Sequence, residues 1–179
     1  MDFVNEKVEK ICSFYVSDWH LVTMLLPYIN KKVEEKSKIT TILEKDIESN
    51  IETLVQKLNL KKSEKILEIN WKKQEVKKYS KLAQILSKQI DNNVTENIIL
   101  VNGTKEYIDK VNKNLNKYIS NLKENKTKIK IINFYEVLEF NYNITEILDE
   151  HDKILNTSGE KEIYEVFEGY EKGKSNIAK

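Results

Sequence analysis

The chain has 179 residues, of which 40% are hydrophobic and 33% charged, and its formal net charge is +1. That length suits one domain with a sizeable core, and the interspersed, nearly balanced charge gives no electrostatic case for nucleic acid or a membrane surface. All 30 basic residues are lysine, so the planar guanidinium fork that favours bidentate phosphate or base recognition is missing.

The amino-terminal segment MDFVNEKVEK is charged and has no hydrophobic signal core, which points to a cytoplasmic protein. No apolar run approaches the ~20 residues of a membrane-spanning helix. Ile11–Val16 reads as a strand, and it holds the single cysteine, Cys12. One cysteine excludes an intramolecular disulfide and a cysteine-based zinc centre. Leu21, Leu25, Leu26, Ile29 and Val33 then share a helical face over Leu21–Lys36. Pro27 lies inside it and is expected to kink the helix or to mark a later start.

Lys38–Leu43 reads as a second strand. Ile47, Ile51, Leu54, Val55 and Leu58 form a helical stripe with Asp46 as its expected N-cap. Lys65–Trp71 reads as a third strand and Lys72–Ile90 as a helix. Glu96–Val101 is an apolar strand, expected in the sheet interior. Asn102-Gly103-Thr104 turns into a long helix marked by Ile108, Val111, Leu115, Ile119 and Leu122. Lys128–Tyr135 reads as a further strand, and Ile144–Leu155 as a last helix opened by Asn143 or Thr145. Gly159–Glu160 is a turn, followed by an edge strand or short helix over Ile163–Phe167. Residues 169–179 read as a flexible tail after a single domain over 1–168.

Strands alternating with helices are what βαβ crossovers produce. The expected fold is α/β: a three-layer α/β/α sandwich on a mainly parallel sheet of five or six strands. In such a sheet the ligand crevice lies beyond the carboxyl ends of the strands. That rule selects Tyr15, Ser17, Asp18, Trp19, His20, Glu44, Asp46, Trp71, Asn102, Thr104 and Tyr135.

The first of these loops has the position of a phosphate loop and the wrong chemistry. Tyr15-Val16-Ser17-Asp18-Trp19-His20 has no glycine to aim backbone N–H groups at phosphates and no lysine before Ser or Thr. Asp18 would repel a triphosphate, so ATP hydrolysis is not expected. Either Tyr15 and Trp19 stack on a ligand that Asp18 and His20 touch, or Asp18 caps the following helix while Trp19 and His20 pack on its first turn. His151 has the same double reading. It shares a stripe with Ile144, Ile147, Leu148, Ile154 and Leu155, which fits a packed core histidine as well as a functional one. The histidines, Cys12 and Asp18 show no metal-ligand spacing, so neither a metal nor a cofactor is expected. Cys12 reads as a buried thiol.

Three stretches carry a family resemblance: KICSFYVSDWHLVTMLLPYI from Lys10, ENIILVNGTKEYI from Glu96 and IKIINFYEVLEFNYNITEILDEHDKIL from Ile129. Together they resemble the MEDS domain, a methanogen/methylotroph sensory module regarded as a degenerate relative of the RecA/KaiC-type P-loop ATPases. The resemblance implies a RecA/KaiC-like sensory or signalling domain without ATPase activity. It also implies a small organic ligand and output through a signalling partner. His151 matches a histidine of that family. Lys10 stands where the family tends to place a histidine, and Asn133 where it tends to place a cysteine.

The resulting expectation is a non-catalytic sensory domain with a small organic ligand at the carboxyl ends of its strands, contacted by the residues above and by His151. The alternatives are a small-molecule enzyme using Asp18, His20 or His151, and an oligomeric pseudo-ATPase scaffold.

Overall fold

The computed structural model describes residues 8–74, 76–122, 127–137 and 143–172. The sequence expectation of an α/β protein holds. A six-stranded sheet has the order β2-β3-β4-β1-β5-β6. Its strands are β1 (Val8–Tyr15), β2 (Lys38–Leu43), β3 (Glu96–Gly103), β4 (Lys128–Glu136), β5 (Lys153–Asn156) and β6 (Gly159–Lys161). All neighbours pair in parallel except β5 and β6, which pair antiparallel. The helices are α1 (Asp18–Glu34), α2 (Glu48–Leu58), α3 (Ser63–Glu68), α4 (Tyr79–Gln89), α5 (Lys105–Ser120), α6 (Ile144–Asp149) and α7 (Ile163–Val166).

The strands are buried on both faces, and their side chains divide by parity. Ile11, Tyr15, Leu43, Ile98, Leu100, Ile132 and Phe134 pack with α1, α2 and α3. Cys12, Ile42, Ile99, Val101, Ile131 and Tyr135 pack with α4, α5, α6 and α7. The layers therefore form an α/β/α sandwich. The chain leaves β1 for β2 on one side and leaves β4 for β5 on the other, so the switch point lies between β1 and β4.

Several expectations are corrected. Lys65–Trp71 is not a strand: Ser63–Glu68 is a short helix that buries only Ile66 and leaves Leu67 exposed. A side-chain bond holds its end, with Trp71 Nε1 donating to the Ile66 carbonyl at 2.8 Å. The helix expected from Lys72 begins at Tyr79. Helix α1 starts at Asp18, so Pro27 lies inside it and does not mark a later start. The helix expected to reach Leu155 ends at Asp149. There Glu150 N–H turns back to Ile147, and Asp152 N–H reaches across to the Lys10 carbonyl at 2.7 Å. Ile154 and Leu155 are consequently strand residues beside β1 and β6. Asp46 does not cap α2; its carboxylate takes the Lys73 N–H instead.

Asn143 and Thr104 do cap their helices, accepting from Glu146 and Tyr107 N–H groups. Ile163–Val166 is a short helix, and the edge strand precedes it. Of the expected tail, Tyr170 docks on α6, its hydroxyl donating to Asp149 at 2.7 Å, while 173–179 lie outside the described residues. No helix among the described residues is long and apolar enough to cross a membrane.

Candidate functional site

The structure separates the candidate residues into two places. At the carboxyl ends of the strands, the polar groups largely satisfy one another. Ser17, not Asp18, is the N-cap of α1 and accepts from His20 N–H at 3.1 Å. His20 Nδ1 accepts from Val16 N–H at 3.1 Å, so the loop closes on itself. Asp18 occupies the first helical turn, where its charge suits the helix dipole.

Across the switch point, Lys45 Nζ lies 2.6 and 2.7 Å from the two oxygens of buried Glu136. That bond is the main reason the Lys45 ammonium is held above its ordinary pKa. Glu44 accepts from Thr104 N–H at 2.8 Å, while its own N–H reaches the Asn102 side-chain oxygen at 2.9 Å. Gly103, at φ +147°, makes this approach possible; a Cβ there would collide with the Glu44 carboxylate. Asn102 is buried, and its side-chain nitrogen has no partner among the described residues.

Trp71 and Trp19 are not neighbours in a ligand wall. Trp71 is a core residue, whereas Trp19 is 50% exposed on the first turn of α1. Tyr15 is also buried in the layer beneath α1. Asp18, His20 and His151 form no hydrogen-bonded pair with one another among the described residues. No group of three or more His, Cys, Asp and Glu able to hold a metal occurs among the described residues.

Tyr135 and His151 belong to the second place, on the opposite face of β4. There a cavity of about 450 Å³ opens between α5 and the end of α6. Its floor is a chain of neutral polar groups. His151 Nδ1 lies 2.6 Å from the Ile147 carbonyl, which requires the proton on that nitrogen. Nε2 is then an acceptor, and Asn133 Nδ2 donates to it at 3.0 Å. Asn133 and Asn112 exchange side-chain bonds of 2.8 and 3.1 Å, and Asn112 also donates to the Ile108 carbonyl.

Burial pushes the His151 imidazolium down to about 4, with the bond to Ile147 opposing that shift. The ring is therefore neutral near pH 7, and both nitrogens are engaged. Tyr135 meets it edge-on at 5.9 Å and stacks on Phe14 at 5.8 Å, which fixes the ring from the side. Beside this floor, Cys12 is buried and its thiol is pushed up to about 12, as expected for an inert thiol.

The rim is charged. Lys10, from the middle of β1, and Glu150, just after α6, both line the cavity. Burial lowers the Lys10 pKa against the pull of Glu150 and Asp152. Burial and the Asp109 carboxylate raise that of Glu150. Lys10, Asn112 and Glu150 were not among the residues selected from the sequence as ligand contacts. The signal that could have found two members of this site is alternation. Lys10 and Asn133 are polar residues on strand positions otherwise filled by Cys12, Phe14, Ile131 and Tyr135.

No family model matches the chain, and no curated protein sequence matches it.

Proposed function

We propose that this chain is a non-catalytic sensory domain that binds a small organic ligand in the cleft over Asn133 and His151. It passes the change to a separate signalling partner. The observation that carries the reading is the cleft itself. Asn112, Asn133 and His151 form a neutral, hydrogen-bonded polar floor under a cavity of about 450 Å³, which is of ligand-binding size. A neutral imidazole with both nitrogens engaged is suited to shaping a pocket, not to moving protons.

The MEDS resemblance supports the same reading. The three positions it singles out, Lys10, Asn133 and His151, come from distant parts of the chain and line this one cavity. If the family uses these positions for its ligand, a chain with Lys and Asn there binds a ligand of different chemistry. The proposed ligand site accordingly lies on the face of β4, under the cavity that Lys10, Asn133 and His151 line, and not at the carboxyl ends of the strands.

Native mass spectrometry of the purified chain, compared with the denatured chain, tests the proposal. The expected result is a co-purified small molecule that is lost in Asn133→Leu and kept in Trp19→Ala. Retention in Asn133→Leu with loss in Trp19→Ala would return the site to the carboxyl ends. Thermal stabilisation by ATP or GTP, or the absence of any bound compound, would overturn the sensory reading.

A further inference from the structure

The rim of the same cleft carries two opposite charges that the fold leaves without close partners. Lys10 Nζ and the Glu150 carboxylate make no ion pair within 4.0 Å and no side-chain hydrogen bond among the described residues. The neighbouring charges are engaged elsewhere. Asp109 holds Lys105 at 2.7 Å. Asp152 takes the backbone N–H of Lys10 at 2.9 Å and lies 3.7 Å from Lys172. Lys10 is partly buried in its strand and lines the cavity.

We propose that the cleft takes a small zwitterion of the α-amino acid class, its carboxylate on Lys10 and its ammonium on Glu150. The proposal rests on the cleft being the ligand site. Three features favour a zwitterion over an ion of one sign. The lining carries both signs: Lys10 and Lys113 face the unpaired carboxylate of Glu150, while Asp109 is held by Lys105. An anion alone would leave Glu150 facing it, and a cation alone would face both lysines. An α-amino acid carries its two charges only a few ångströms apart, which suits a cation and an anion on one rim. The Glu150 carboxylate, just after α6, favours the ammonium end there. The side chain of the ligand would lie toward Tyr135 and the amides of Asn112 and Asn116.

The test uses the full chain and ten-millimolar-scale titrations of glycine, alanine, serine, leucine and glutamate, each beside its C-terminal amide and its N-acetyl derivative. Binding is read by ¹H–¹⁵N shifts of the His151 ring and the Asn133 side chain, and by Tm. The expected result is that at least one free amino acid shifts both signals. Its amide and its N-acetyl derivative should bind about tenfold or more weakly, because each loses one charge-assisted contact.

Lys10→Met and Glu150→Gln should weaken binding to a similar degree with unchanged far-UV circular dichroism. The charge-swapped pair, Lys10→Glu with Glu150→Lys, should recover part of what either reversal alone loses. If amides or N-acetyl derivatives bind as well as the free amino acids, the zwitterion is overturned while the cleft remains the ligand site. If none of these probes shifts His151 or Asn133, the ligand class is overturned, and the co-purified compound decides the fate of the cleft separately.

Discussion

Strand β4 sends buried polar side chains to both faces of the sheet, and the two faces satisfy them in opposite ways. Toward α1, Lys130 is 3% exposed and is ringed by charge. Its ammonium bonds Glu160 at 2.7 Å and lies 3.6 Å from Glu96 and 3.7 Å from Glu9. Tyr28 adds a second bond to Glu160 at 2.7 Å. Burial disfavours the Lys130 charge, but the Glu160 bond and the three carboxylates outweigh it and hold its pKa above the usual lysine value. Toward α5, Asn133 is equally buried, yet its partners Asn112 and His151 carry no charge. The first cluster pairs its own charges beside a cavity of similar volume, about 450 Å³, and reads as architecture. The second is neutral below and unpaired in charge above, which is what a binding cleft needs.

The sharpest way to break that comparison is Lys130→Met. It leaves Glu9, Glu96 and Glu160 gathered without their central cation, and loss of one member of a buried ion cluster costs about 4 kcal/mol. Urea denaturation at pH 7 measures it. A loss under about 1 kcal/mol would mean that the cluster is solvated and not architectural. Acid should narrow the difference. Burial alone would raise the Glu160 pKa, but its bonds to Lys130 and Tyr28 hold it below 4.5. Its contribution is therefore present at neutral pH and is lost as pH falls through the depressed value. Lys130→Met has already lost that contribution and should approach the parent protein at low pH.

The cleft floor responds to acid in a higher window. His151 is depressed from 6.5 to about 4, so the neutral ring stabilises the fold above 6.5, and this stability drains away as pH falls toward 4. A shift of that size corresponds to about 3 kcal/mol. The stability of the parent protein between pH 7 and 4 should fall by that order, and His151→Asn should flatten the curve across the window. An unchanged slope would mean that the ring is not buried and neutral. Asn133→Leu tests the chain from its middle. It strands the buried His151 Nε2 and removes both Asn112 side-chain bonds to Asn133, for an expected loss of about 2 kcal/mol in the same denaturation assay.

These effects show where sequence reading succeeds. Strands β1, β2, β3 and β4 were legible because both faces are buried and each reads as a bounded apolar run. Helix α5 was legible because Ile108, Val111, Leu115 and Ile119 repeat at helical spacing after a Thr cap. The Lys65–Trp71 segment misled because a short apolar run does not distinguish a strand from one turn of helix, and a tertiary bond from Trp71 decides it. Ile154 and Leu155 misled for the complementary reason. They continue the spacing of α6 by coincidence, while Asp152 pairing with Lys10 fixes them as strand. The cleft was hidden because its members, Lys10, Asn112, Asn133 and His151, meet only through the order of the sheet, with β1 beside β4 and β5.

The smallest effect concerns the carboxyl-end loop, the place where the fold class alone put the ligand. Ser17 caps α1, and His20 returns a bond to Val16. A loop that serves chiefly to start a helix should behave like any other cap. Ser17→Ala should therefore cost about 1 kcal/mol, and it should leave ligand retention in the native mass spectrum unchanged. Trp19 is half exposed on the next turn, so Trp19→Ala should stay within about 0.5 kcal/mol. The two variants divide the possibilities cleanly. A stability loss confined to Ser17→Ala, with ligand kept in both, assigns the loop to the helix it opens. Ligand loss in either, without a matching loss of stability, would show that the exposed loop holds the ligand, and the contrast between the two faces of β4 would no longer locate the site.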